Sequence, residues 1–455
     1  MKQILPNGPR TSKFLQLLNF GKDSIKMLSE CHKTYGTRFT LNLQWQPPYV
    51  IISDPKDLKI VFMEHSETLD AGAANGTILK PILGSNSLII LNGGQHLFHR
   101  KLMLPPFHGE RMKLYGKTMQ DITMARISDW QIGDKLSIYN EALTITFDII
   151  LDKVFGIEHN NKNYLKIKDP LEKLMLAIGS AFGLITLLFK NLQINLGKLT
   201  PWAEIQRLKI EVDNLLLEEI ESRMASDILS KTDILSLLIQ AKDENGDGLS
   251  KEEIKDEMLT LLITGHQTTA STIAWSMYYI LSDQSVLTKM KDEINSNISN
   301  MKEMHLNIQK LPYMDMVVNE SLRIKPVIPF FGRLTTTDFQ LNDITIPKGV
   351  MIYPAVYLVH HDEQYWPNPE KFIPERFTDS TKMEPYTFVP FGGGIRRCIG
   401  ASFAVYEIKI ILATMLMTTE MKLDEGYQPK CMRGSAIIVP SGGVPVTIVE
   451  KNKTC

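Results

Sequence analysis

Apolar residues recur at three- and four-residue intervals through the middle of the chain, and this spacing predicts a mostly helical region from about Gln95 to Ile324. DKLSIYNEALTITFDIILDKVFG (134–156) and AEIQRLKIEVDNLLLEEIESRM (203–224) carry an apolar stripe opposite a charged face. Both ends of the chain read differently. RFTLNLQWQPPYVIISDP (38–55) predicts two strands around a turn. After Pro326, RLTTTDFQLNDITIPKGVMIYPAV (333–356) predicts short strands with turns at Asn342-Asp343 and Pro347-Lys348-Gly349. CMRGSAIIVPSGGVPVTIVEK (431–451) reads as a hairpin around Ser441-Gly442-Gly443. The expected fold is mainly α with a smaller β portion built from both ends of the chain. That crossing of ends, with no repeat or Gly/Ser-rich linker, predicts a single domain over residues 1–455.

A run of helical pattern from Ser250 to about Ser282 is interrupted by Thr264, Gly265, His266, Gln267, Thr268 and Thr269, most of them poorer helix formers. Glycine there removes a side chain where something large must approach. Thr268 can bond back to the Thr264 carbonyl and open the ladder. A ligand groove and a helix kink packed on a neighbour both fit this pattern. Just upstream, DENGDGLSKEEI (243–254) has the opening of a calcium loop, but Ile254 stands where the bidentate glutamate belongs. SKEE (250–253) reads better as a capping box. On another predicted helix, Glu320 and Arg323 share a face in a largely apolar setting, where a charge pair needs further partners. Arg376, in FIPERF, is the candidate third member.

Composition narrows the classes. Apolar residues make up 44% and charged residues 22%, as in an ordinary globular protein with a sizeable core. A net charge of −1 gives no reason to expect nucleic acid or an acidic membrane as partner. The N-terminal segment shows neither a signal-peptide layout nor a bilayer-length apolar run, which predicts a cytoplasmic protein with no transmembrane anchor. The four cysteines form no CxxC pair, so free thiols are expected.

One thiol stands out. FVPFGGGIRRCIGASFAVYE (388–407) places Cys398 after three glycines and two arginines and before a helix predicted over Ile399–Glu420. The glycines allow a tight turn against a planar surface, the helix start and arginines favour a thiolate, and Arg396 can pair with an anionic ligand group. A haem ligand fits this setting. A thiol nucleophile and a redox thiol remain the competing readings, although the local sequence supplies neither a histidine base nor a resolving cysteine.

Together these segments resemble the cytochrome P-450 family of haem-thiolate monooxygenases. FGGGIRRCIG matches the family pattern F-x-x-G-x-R-x-C-x-G at Phe391, Gly394, Arg396, Cys398 and Gly400. ESLR supplies the Glu-x-x-Arg helix, PERF its third member, and TGHQTT resembles the oxygen-groove motif. HLFHRKLMLPPF resembles the helix that places His96 and Arg100 on a haem propionate, and Arg333 sits where another propionate-binding arginine is common. The resemblance covers essentially the whole chain. It implies haem b (iron protoporphyrin IX) held by Cys398, with Thr268 and Gln267 managing protons while one atom of O₂ enters an apolar substrate. Fatty acids, alkanes and terpenoid-like molecules are the expected class. The chain departs from the family at Gln267, where an acid is usual; an amide hydrogen-bonds water but cannot carry a titrating proton.

The chain shows no flavin, nicotinamide or iron–sulfur fingerprint. Electrons are therefore expected from a separate ferredoxin- or flavodoxin-type donor with its reductase, docking through Lys101, Lys113 and Arg397. Leu176–Phe189, Pro326–Phe331 and Leu261–Ile263 are the candidate substrate-lining segments. Gln267 also admits a peroxide-using or rearranging haem-thiolate enzyme, and a haem-binding sensor without turnover is the third reading.

Overall fold

The computed structural model describes residues 5–109, 111–157, 164–188, 190–197, 200–229, 231–434 and 437–452. By internal contacts the chain divides into two compact units, one of residues 1–76, 89–95 and 319–398, the other of 77–88, 96–318 and 399–455.

The first unit is built on a five-stranded sheet drawn from both halves of the chain. β1 (Arg38–Leu41) and β2 (Tyr49–Ile52) are the predicted N-terminal pair, antiparallel with Phe39 opposite Ile51. β3 (Leu69–Asp70) lies at the other edge, in the order β1-β2-β8-β5-β3. The later strands are β5 (Arg333–Thr335) and β8 (Met351–Pro354), with β2 and β8 parallel. β6 (Phe339–Leu341) and β7 (Ile344–Ile346) form the expected small hairpin, whose turn puts Asn342 at φ 51°, a conformation asparagine tolerates. Val50, Ile52, Leu58, Phe62 and Ile352 are buried together beneath the sheet.

The second unit is mostly helical. The predicted helices appear as Ile138–Lys153, Pro201–Met224 and the 32-residue Lys251–Ser282. Ser250 caps the last of these through a capping box with Glu253. The calcium-like loop closes on itself, with the Asp243 carboxylate accepting from the N–H groups of Asn245 and Asp247. Among the described residues no cluster of metal-ligating side chains exists. The helix after the cysteine runs Ala401–Thr418, slightly shorter than predicted, and is 78% buried within the protein, as a core helix is.

The C-terminal hairpin expected around Ser441-Gly442-Gly443 does not form. β11 (Ile437–Pro440) pairs instead with β10 (Cys431–Gly434). β12 (Pro445–Lys451) pairs with β4 (Lys135–Ser137) and β9 (Thr419–Leu423). Gly442, Gly443 and Val444 all take positive φ, which turns the chain out of one sheet into the other. A Cβ at Gly443 would lie 2.2 Å from Ser137 Oγ, so the turn closes directly on β4.

Candidate functional site

The predicted site residues fall into two sets: Phe391, Arg396, Cys398 and Arg333 in the first unit, and His96, Arg100, Gln267, Thr268 and Gly400 in the second.

The cysteine loop owes its shape to short-range bonds. Gly392 N–H donates to Val389 O at 3.0 Å, Arg397 N–H to Gly394 O at 3.1 Å and Cys398 N–H to Phe391 O at 2.9 Å. Those three amides serve the loop itself, and Cys398 ends exposed at its tip. The glycines make the tight turn the sequence implied, with Gly392 and Gly394 at positive φ, and they also serve a protein contact. A Cβ on Gly394 (φ 61°) would lie 1.9 Å from Phe62 O, and one on Gly393 would lie 3.0 Å from the Phe62 ring. They let the loop pack on the helix Pro55–Met63. Gly400 is different: a Cβ there would meet nothing within 4 Å, so clearance beside the thiol lies at that position.

Two cations stand near this loop. Arg396 donates to Leu91 O at 2.5 Å and to the Asn92 side chain. Arg333 is 6% exposed, donates to Gly332 O at 2.8 Å and stacks over Phe62. Burial, and then repulsion from Arg396, push the Arg333 guanidinium down to about 10. Among the described residues no carboxylate bonds Arg333. A buried guanidinium such as Arg333 favours an anion close by to offset its charge. With an exposed thiol and two guanidiniums by its loop, the donor set of the first unit suits haem with its propionates.

A buried cluster lies behind the loop. Glu320 and Arg323 are both 0% exposed and joined by bonds of 2.6 and 2.9 Å. Arg376 completes the expected trio at 3.3 Å from Glu320, which also accepts from Ile373 N–H. Arg323 spends its remaining donors on the carbonyls of His360, Pro369 and Lys371.

In the second unit, His96 (buried) and Arg100 lie one turn apart on the helix Gly93–Met103 and so share a face. On the long helix a row of threonines bonds back by four residues: Thr260 to Asp256 O, Thr264 to Thr260 O, Thr268 to Thr264 O at 2.9 Å, and Thr272 to Thr268 O. The predicted Thr268 bond is present within an unbroken helix. Gly265 makes room for protein: a Cβ there would lie 2.8 Å from Ile150 Cδ1 on the packed helix Ile138–Lys153. Thr146 of that helix donates to His266 O. His266 is buried, its imidazole pushed down to about 4 by burial and bonded to Leu262 O. The packed-helix reading of Gly265 therefore holds, and the groove rests on Thr268 and Gln267, both half-buried.

Sequence reasoning missed two buried acids here. Glu407 is 1% exposed; burial pushes its carboxyl well above the ordinary value, with a Thr269 hydrogen bond opposing. Among the described residues its Oε1 has no hydrogen-bond partner. Glu407 closed the very stretch that drew attention to Cys398, but only the fold sets it against Thr269. Glu257 is 0% exposed and takes His99 Nδ1 at 2.7 Å and Leu88 N–H at 3.1 Å. Burial alone would lower His99, but Glu257 and Glu253 outweigh it and raise its pKa. Nothing in the 158-residue separation of His99 and Glu257 signals this pair.

The candidate substrate segments are partly committed elsewhere. Phe331 packs on Phe62, and Phe330 on Phe20 and Tyr353. Leu176 and Phe182 are largely exposed, and Phe189 lies outside the described residues.

A family model described as Cytochrome P450 matches residues 6–447. The Putative cytochrome P450 135B1 of Mycobacterium tuberculosis is 32% identical over 452 residues, covering 98% of this chain and 91% of the relative. The Putative cytochrome P450 138 of Mycobacterium bovis is 29% identical over 414 residues, with 90% and 89% covered. The solved structure of a retinoic acid bound cyanobacterial CYP120A1 matches with a TM-score of 0.87 at 24% identity, covering 99% of this chain and all of that one. The extent of these matches, on a mainly helical fold with a cysteine loop backed by a Glu–Arg–Arg cluster, establishes that the chain belongs to the cytochrome P450 family.

Proposed function

We propose that the Cys398 thiolate would hold haem b and that the chain inserts one oxygen atom from O₂ into an apolar substrate. The family supplies the general activity, a haem-thiolate monooxygenase that draws electrons from a redox partner. The observation that carries the assignment to Cys398 is the exposed thiol in a loop with the Arg333–Arg396 cation pair nearby. When bound, the thiolate-ligated haem supplies activation of dioxygen. Arg333 and Arg396, with His96 and Arg100 from the second unit, are assigned to the propionates.

Thr268 and Gln267 are the proton-handling groups of this reading. Because the Thr268 hydroxyl donates to Thr264 O, its lone pairs remain available to accept. Gln267 can orient water without titrating. Glu407, its pKa pushed up by burial and its carboxyl bonded to the neighbouring Thr269, is the acid we assign where position 267 lacks one.

For substrate we propose a lipid-like or terpenoid-like molecule, approached from Leu261–Ile263. The cyanobacterial relative binds retinoic acid, an apolar acid of that general kind. The electron donor we propose is of ferredoxin or flavodoxin type, and the location we propose is the cytoplasm. Lys101 pairs with Glu244, and Lys113 is exposed in the same unit. Lys113 borders a cavity of about 340 Å³ with His108, Gln309, Ser402 and Tyr406. Reversing Lys113 to glutamate should slow reduction by the donor and leave haem content unchanged; normal reduction would remove it from the docking surface.

The test of the central claim is the spectrum of the reduced protein under carbon monoxide, beside Cys398→Ser. A strongly red-shifted Soret band in the wild type alone establishes thiolate ligation by Cys398. An ordinary band in the wild type withdraws it. Gln267 keeps the peroxide-using alternative open to one comparison: product from peroxide without a donor, and none from donor with O₂, would favour it.

A further inference from the structure

We infer that His360 is a positioning residue for the cysteine loop, holding the segment that leads to Cys398 in register with the Glu320–Arg323 cluster; this deepens the haem-thiolate reading proposed above. His360 is the last residue of the short helix Val356–His360 and is 0% exposed. Its Nδ1–H donates to Arg323 O at 3.2 Å, and its Nε2 accepts from Val389 N–H at 2.9 Å. The backbone amide at Val389 can only donate, so the two bonds together select the Nδ1–H tautomer. Arg323 answers with a bond from its guanidinium to His360 O at 2.8 Å, making the link reciprocal.

From Val389 the constraint passes along the loop through the backbone. Val389 is held at both groups, its N–H by His360 and its carbonyl by Gly392 N–H. The next bond in the series closes Phe391 O on Cys398 N–H. The ring also has a fixed plane. His360 stacks on Phe388 with centroids 5.4 Å apart, Phe388 contacts Phe377 at 4.8 Å, and the Arg323 guanidinium lies over Trp366 at 5.4 Å. One imidazole thus joins the end of the Glu-x-x-Arg helix to the entry of the cysteine loop. An aliphatic side chain of equal volume would fill the site and leave both backbone groups, the Arg323 carbonyl and the Val389 amide, without their partners.

Three variants separate positioning from packing. His360→Phe keeps an aromatic face and removes both bonds. His360→Gln can reach Val389 N–H with its amide oxygen, whereas His360→Asn reaches Arg323 O only. The readouts are the carbon monoxide difference spectrum of the reduced holoprotein, followed in time, and the melting temperature of the same samples. We expect His360→Asn to lose the red-shifted band about tenfold faster than wild type, the factor that loss of one buried hydrogen bond implies, and His360→Phe, which lacks both bonds, to lose it at least as fast. His360→Gln should hold the band within about twofold while melting no higher than His360→Asn. Equal band lifetimes in all four proteins would overturn the inference. So would lifetimes that simply follow melting temperature. If His360→Phe does not fold, the Gln against Asn comparison still decides. A wild type with no red-shifted band would instead refute the Cys398 assignment, so the two failures are distinguishable.

Discussion

Glu320 and Glu407 are both buried carboxylates, in different units, and they are treated oppositely. Glu320 receives bonds from Arg323, Arg376 and Ile373 N–H, so each of its oxygens has a donor. Glu407 has a bond with Thr269, and its Oε1 has no partner among the described residues. A saturated, charge-paired carboxylate is fixed in one arrangement and holds structure. An unsaturated one whose pKa burial raises holds its proton more readily and keeps an oxygen uncommitted. Degree of saturation thus separates scaffold from candidate chemistry more sharply than residue type does.

The largest effect expected from this contrast is at the saturated end. Arg323→Met leaves Glu320 buried with one arginine and removes the donors held by His360 O, Pro369 O and Lys371 O. Breaking a buried pair from one side costs about 3–5 kcal/mol. The expected outcome is little folded holoprotein, read as haem absorbance per mole of purified chain. Normal yield and melting temperature would show that the cluster is not holding the loop.

How much of this was legible beforehand follows the same line. The Glu320–Arg323–Arg376 trio was readable because two members share a helix face and the third sits in a short motif. Cys398 stood out because glycine, arginine and cysteine are consecutive in the chain. Gly394 and Gly265 were legible only in part for a physical reason: a glycine announces a close approach without saying by what, and here the neighbours are Phe62 and Ile150. His360, Glu407 and the His99–Glu257 pair depend on contacts across tens to hundreds of residues. No local period or spacing encodes those. The failed C-terminal hairpin belongs with them, since Gly442-Gly443 marks a turn but the choice of partner strand is made by β4, some three hundred residues earlier.

The unsaturated end should respond through pH. Glu407 has a folded pKa above its ordinary value of 4.5. Stability from its protonated form is therefore complete below about pH 4.5 and is lost as pH rises through the folded pKa. Glu407→Gln keeps the volume and the Thr269 contact but cannot ionise. It should nearly match wild type in urea melts near pH 5 and become relatively more stable as pH rises, by about 1.4 kcal/mol for each unit of pH between about 4.5 and the folded pKa, levelling off above it. If Glu407 also delivers protons, the variant should form less product per electron consumed and release more peroxide. A flat stability difference from pH 5 to 9 would mean that the carboxyl is already ionised and the contrast with Glu320 is false.

Gly265 offers the smallest effect and the finest test. Alanine in a helix interior gains about 1 kcal/mol over glycine, while a Cβ here would press on Ile150 Cδ1, the mobile end of a side chain that can turn aside. The two terms are of similar size and opposite sign, so Gly265→Ala should melt within about 1 kcal/mol of wild type. Gly265→Ala with Ile150→Val, which removes that Cδ1, should then be the better packed of the two at this contact. If the glycine instead serves ligand clearance, the single variant would weaken binding of apolar compounds, seen as a smaller Soret shift on titration, and the Ile150 change would not restore it. Packing predicts the reverse: unchanged ligand titrations and a stability that depends on residue 150.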